Sequence, residues 1–145
     1  MSLALSMANL AFEEGEVPVG AIVVHEGRVI GEGHNKVITN NSVSSHAEIL
    51  AINNASQAIQ NYRLKNCAIY VTLEPCAMCA GALAHSRVER VIYGAPDPKS
   101  GGIDHGARVF THPQSHHRPE VIGGISERAC ASLLVDFFTQ QRTKL

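Results

Sequence analysis

The chain has 145 residues, of which 45% are hydrophobic and 17% charged, the balance of an ordinary soluble globular protein. No apolar run approaches the roughly 20 residues that a membrane-crossing helix needs. The formal net charge of -1 argues against a protein that holds nucleic acid by bulk charge alone, although residues 1–50 carry a net -4 and residues 51–145 a net +3.

Met1-Ser2-Leu3-Ala4 lacks the basic n-region of a secretory signal, so the expected compartment is the cytoplasm. One domain over residues 1–145 is expected. Leu5, Met7, Leu10 and Ala11 recur at helical spacing before Glu13-Glu14-Gly15, which predicts a short first helix. Val17 to Val24 reads as a buried strand, Glu26-Gly27 as a hairpin turn, and Arg28 to Glu32 as the returning antiparallel strand. Gly33 to Ser45 is polar and turn-rich, hence a loop. A helix is predicted over His46–Gln60 with Ile49, Leu50, Ile52, Ala55 and Ile59 on its buried side. The β-branched run Ala68 to Leu73 predicts a central strand. Glu74-Pro75-Cys76 then opens a helix to about Ala84, with Pro75 in its first turn. Arg90 to Gly94 is a third core strand, and the strand-helix-strand spacing requires a parallel crossover. Val121-Ile122 reads as a short last strand. A final helix over Glu127–Arg142 carries Cys130, Leu133, Leu134 and Phe137 as its core stripe. The architecture expected is a three-layer α/β/α domain on a five-stranded mixed sheet.

The residues that carry chemistry gather between His46 and Cys79. His46 and Glu48 open one predicted helix, and Cys76 and Cys79 lie one turn apart at the start of another, so the two thiols project to one side. The positive end of a helix favours thiolate, the form that ligates metal. One histidine and two cysteines leave a coordination position open, which is what a catalytic zinc ion (Zn2+) requires, and Glu48 stands ready as the base. The same residues admit plainer readings. Ser45-x-x-Glu48 fits a helix capping box. A Cys-x-x-Cys pair after a strand fits a redox couple. A closed structural zinc site would need a fourth ligand from Cys67, His85, His105, His112, His116 or His117. Cys67 and Cys130 read as inert buried thiols.

The pattern His-x-Glu, 26 residues, Pro-Cys-x-x-Cys is the signature of zinc-dependent nucleobase deaminases. More of the chain joins it: Val17-Pro18-Val19-Gly20-Ala21, Gly31-Glu32-Gly33-x-Asn35, Asn61-Tyr62-Arg63-Leu64, Tyr70 to Ala82, His85-Ser86-Arg87, Gly94-Ala95-x-Asp97-x-Lys99 and Asp136-Phe137-Phe138. Over nearly its whole length the sequence resembles the bacterial tRNA-specific adenosine deaminases. The resemblance implies a cytidine-deaminase-like fold, a homodimer, and conversion of the wobble adenosine of a tRNA anticodon loop to inosine. It implies that His46, Cys76 and Cys79 bind zinc. It makes Glu48 the group that takes a proton from a zinc-bound water, delivers it to N1 and later protonates the departing amine, while the resulting hydroxide attacks C6. Asn35 matches the residue that hydrogen-bonds the flipped base, and Pro18 and Ala47 fall where its pocket is lined. Asp97 and Lys99 fall where relatives touch flanking nucleotides, with a solvated loop as the plainer reading. Phe138 and Arg142 would face tRNA as a stacking surface and a phosphate contact; peripheral packing and solvent are the alternatives.

One stretch departs from the resemblance. Relatives commonly follow the position of Lys99 with a Gly-Ser turn and an apolar helix, whereas this chain has Gly101 to Phe110, in which Gly106 weakens any helix. In relatives that stretch borders the substrate mouth, so a deaminase of a free base or nucleoside, of the guanine or cytosine type, stands as the alternative. A third reading, a non-catalytic zinc-stapled RNA-binding subunit, has no use for Glu48.

Overall fold

The computed structural model describes residues 1–144. Five strands form one sheet in the order β2-β1-β3-β4-β5: β1 (Gly20–His25), β2 (Arg28–His34), β3 (Cys67–Leu73), β4 (Arg90–Ala95) and β5 (Glu120–Ile122). β1 runs antiparallel to β2 and β3, while β3–β4 and β4–β5 are parallel, so the sheet is mixed as expected. Glu26 and Gly27 both adopt positive φ (50° and 77°), the twist that a two-residue hairpin loop demands. The four helices are α1 (Ser2–Glu13), α2 (Ala47–Ile59), α3 (Ala77–Ser86) and α4 (Glu127–Thr143). Only one turn of 3₁₀ helix, Val109–Thr111, forms in the stretch that departs from the resemblance.

Side chains alternate across the sheet, and the two faces take different helices. Ala21, Val23, Gly31 and Gly33 share the face covered by α2, which also touches α3. Gly20 and Gly94 lie on the other face, against Ala4 and Ala8 of α1 and Cys130 of α4. Phe12 of α1 meets Phe137 of α4 edge to face, with ring centroids 5.6 Å apart and planes at 75°. A pair of that geometry adds about 0.5–1.5 kcal/mol beyond the area it buries. The three layers expected from the sequence are therefore present.

The buried faces of two helices differ from expectation. In α2 the residues turned inward are Ala47, Glu48, Ala51, Ile52 and Ala55, while Leu50 is half-buried and Ile59 exposed. In α1 they are Ala4, Ala8 and Ala11, with Leu10 exposed. Close approach is the cause. A Cβ placed on Gly33 would lie 2.5 Å from the Ala47 carbonyl oxygen and 2.8 Å from the Ala51 nitrogen. Glycine on the strand and alanine on the helix bring backbone against backbone, and the larger apolar side chains fall to the flanks. Pro75 also differs: it is fully buried just before the N-cap Cys76 rather than within the first turn of α3.

Candidate active site

α2 and α3 begin at the same place. His46 is the N-cap of α2, with extended backbone (φ -75°, ψ 153°), and Cys76 is the N-cap of α3 (φ -71°, ψ 175°). Neither cap makes a side-chain hydrogen bond to its helix, so His46 and Cys76 are free for other work. The capping-box reading of Ser45 and Glu48 is thereby corrected, since the cap position belongs to His46 and Glu48 turns into the interior. The His46 Nδ1 atom lies 3.6 Å from Cys76 Sγ and 3.5 Å from Cys79 Sγ.

Among the described residues these three form the one group whose ligand atoms converge, all within 4.8 Å of one another. None of the residues considered as a fourth ligand joins them. Cys67 is instead buried beside His25 Nδ1 at 3.7 Å, and burial pushes its thiol pKa up, as it does at Cys130. Both thiols are free and buried, as the sequence implied.

Protons are unevenly shared between the paired thiols. The Cys79 thiol donating to it, with His46 beside it, brings the pKa of Cys76 down to about 4. The same contact with the Cys76 thiolate, reinforced by burial, pushes Cys79 up. The Cys76 partner in turn raises the pKa of His46. A cation entering between them would displace the remaining proton and hold two thiolates and one imidazole. Two soft sulfurs and one nitrogen suit a zinc-like ion and leave a position open.

Glu48 is 4% exposed, and burial foremost, with the Cys76 thiolate adding to it, lifts its carboxyl pKa to about 7. A carboxyl poised there can both accept and donate a proton near neutrality. It faces a cavity of about 320 Å³ whose wall also includes Val19, Asn35, Leu73 and Ile38. Asn35 is held by its N–H to the Val19 carbonyl (3.1 Å) and by its Nδ2 to the Val17 carbonyl (3.3 Å). Its Oδ1 is buried and has no partner among the described residues. An orphaned buried acceptor costs about 1–3 kcal/mol, which a bound N–H would relieve.

The other expected positions divide into wall and rim. Pro18 and Ala47 are fully buried behind the cavity, and their neighbours Val17, Val19, His46 and Glu48 form its surface. Asp97 lies on the cavity edge, with its carboxylate accepting the Ser100 N–H at 3.0 Å. Asp97 and Ser100 also border an adjoining groove of about 720 Å³ that takes in Lys99, Phe138 and Arg142. Phe138 is 47% exposed and rests edge-on against Phe137, with centroids 5.4 Å apart.

Sequence reasoning passed over two carboxylates in the cavity wall, Glu16 and Glu74, each no more than 2% exposed. Glu16 accepts the N–H groups of Ile38 (3.1 Å) and Thr39 (2.7 Å) and the Thr39 hydroxyl (2.7 Å), which fastens the loop after β2 to the end of α1. The available signal was their place, one immediately before Val17-Pro18 and the other before Pro75-Cys76.

A family model described as MafB19-like deaminase matches residues 1–142. A tRNA-specific adenosine deaminase of Agrobacterium fabrum is 45% identical over 98% of this chain and 93% of its own. Another from Haemophilus influenzae is 45% identical over 98% of this chain and 83% of its own. A solved structure from studies of A-to-I editing by tRNA:A34 deaminases at the wobble position of transfer RNA superposes with a TM-score of 0.91 and 46% identity, covering 92% of this chain and 97% of that one. The chain belongs to the MafB19-like deaminase family and, within it, to the tRNA-specific adenosine deaminases.

Proposed function

We propose that the chain hydrolyses the exocyclic amine of a wobble adenosine in a tRNA anticodon loop, giving inosine and ammonia. The observation that carries this reading is the convergence of His46, Cys76 and Cys79 beside a buried carboxyl, Glu48, at the floor of one cavity. His46, Cys76 and Cys79 would hold zinc, which when bound supplies Lewis-acid activation of water. Glu48 takes the proton of the attacking water and delivers it to N1 of the purine. A C6–O bond forms, Glu48 then takes the remaining proton from the new C6 hydroxyl and passes it to the amine, and the C6–N6 bond breaks to leave a C6 carbonyl and ammonia. Its pKa near 7 suits both transfers. Asn35 offers its unpaired Oδ1 to an N–H of the base and fixes the base in the cavity.

The groove that continues from the cavity past Asp97, Lys99, Phe138 and Arg142 supports a substrate longer than a free base. In this reading Phe138 stacks on a flanking nucleotide, and Lys99 and Arg142 meet phosphates. We further infer that the enzyme works in the cytoplasm as a homodimer. Support for the dimer comes from exposed Ile59, Tyr62 and Met78, which lie on and beside α2 and α3. No helix among the described residues is long and apolar enough to cross a membrane.

The test is an inosine and ammonia assay on zinc-loaded protein, comparing an anticodon stem-loop bearing a wobble adenosine with free adenine, adenosine, guanine and cytosine. Inosine in the stem-loop alone is expected. Turnover confined to a free base would overturn the reading.

A further inference from the structure

The segment that departs from the resemblance is wound around a single carboxylate. The Glu74 side chain is 0% exposed. Its Oε2 accepts the backbone N–H groups of Ile103 (3.2 Å), Asp104 (3.0 Å) and His105 (3.2 Å). Its Oε1 accepts the N–H of Asp97 at 3.0 Å and the Nδ1 of His105 at 2.7 Å. Five donors fill the roughly four lone-pair sites that a carboxylate offers, so Glu74 has none left for proton transfer to a substrate.

The same segment is pressed against the turn that carries Cys76. The Gly102 N–H donates to the Pro75 carbonyl at 2.8 Å, and Gly101 pairs with Cys76 as an isolated antiparallel bridge. A Cβ on Gly101 would stand 2.5 Å from the Glu74 carboxyl carbon, and one on Gly102 would stand 2.5 Å from the Ala77 nitrogen. Both glycines are demanded by this closeness. At its upstream end the segment supplies Asp97 and Ser100, which border the cavity and the groove at once. Downstream, Asp104 is held by the Tyr93 hydroxyl.

We propose that Glu74, locked by His105, is a positioning residue: it holds residues 97–105 as the outer wall of the substrate mouth and thereby seats the nucleotides that flank the target base. His105 supplies the side-chain half of this clasp and the backbone N–H groups supply the rest. The proposal rests on the tRNA-deaminase reading for its substrate, although the clasp itself does not.

The experiment compares zinc-loaded wild type, His105→Ala, His105→Asn and Glu74→Gln. Zinc content, kcat and KM on the stem-loop, and amide hydrogen exchange at Ile103, Asp104 and His105 are measured for each. His105→Ala is expected to keep its zinc and to hold kcat within about twofold. Its KM should rise about tenfold, the scale on which supporting residues act, and the three amides should exchange faster. His105→Asn can replace the Nδ1 donor, so it should restore both KM and protection. Glu74→Gln turns amide hydrogens toward backbone N–H groups and can prevent folding, which leaves the His105 pair to decide. Unchanged KM and protection in His105→Ala would overturn the proposal, as would a parallel loss of zinc and kcat. A wild type inactive on the stem-loop defeats the substrate reading, while exchange at the three amides still decides the clasp.

Discussion

Gly33→Ala tests whether the seam between β2 and α2 sets the position of the reacting groups. The added Cβ would meet the Ala47 carbonyl oxygen at 2.5 Å, the Ala51 nitrogen at 2.8 Å and the Leu50 Cβ at 2.9 Å. Ordinary contact begins at 3.4 Å, so the first turn of α2 must withdraw by about 0.9 Å. Overpacking of this kind costs about 1–3 kcal/mol, or roughly 3–10 °C in Tm for a chain of this size. Ala47 sits between His46 and Glu48, and displacing catalytic groups by about 1 Å lowers the rate about 100-fold. Gly81 provides the contrast, because it lies within α3 and a Cβ there meets nothing within 4 Å. Gly81→Ala should therefore stabilise the protein by about 0.5–1 kcal/mol and leave the rate alone. Thermal melts and single-turnover deamination of a stem-loop measure both effects. A Gly33→Ala protein with wild-type Tm and rate would refute the claim that this seam positions the site.

Other perturbations act on the site directly. Glu48→Ala should retain the metal and lose about 10²–10⁴-fold in turnover, and unchanged turnover would sink the proposed proton transfers. Cys76→Ser should purify with little zinc by elemental analysis; full occupancy would place the ligands elsewhere. Asn35→Ala should raise KM for the stem-loop, and an unaltered KM would remove Asn35 from base recognition. Acid should loosen both clamped loops. Burial opposes ionisation of Glu16 and Glu74, but their hydrogen-bond donors outweigh it and hold both below the ordinary value of 4.5. Folding thus favours the ionised form, so this stabilisation is complete above pH 4.5 and is lost as pH falls through the lowered folded values. Glu16→Gln should melt lower at neutral pH and lose stability less steeply on acidification. An acid slope equal to wild type would contradict that assignment.

The five strands and the helix positions were legible because periodicity and turn residues act locally. Glu26-Gly27 specified its hairpin, and the run from Ala68 to Leu73 specified the central strand. The metal cluster was legible for a similar reason: its ligands sit at helix starts with fixed spacing. What escaped depends on tertiary distance. Leu50 and Ile59 look like core on a helical wheel, yet Gly31 and Gly33 of β2 draw the backbone at Ala47, Ala51 and Ala55 so close that these alanines centre the interface, leaving Leu50 half-buried and Ile59 exposed. β2 continues to His34, two residues past the expected end, where His34 Nε2 pairs with Glu14 at 2.9 Å. Glu16 and Glu74 escaped because their partners are backbone N–H groups more than twenty residues away, which no motif records.

Glu16 and Glu74 grip the rim of the cavity chiefly through main-chain N–H groups, with Thr39 and His105 adding the side-chain contacts, and that separates two demands on the loops. Most side chains on the rim, including Val37, Ile38, Lys99 and Ser100, are not themselves part of the carboxylate grip. Mutations there can be sampled without dissolving the scaffold that presents them. The rim is thus a surface of exchangeable side chains carried on two fixed anchors, set apart from the groups that carry the chemistry.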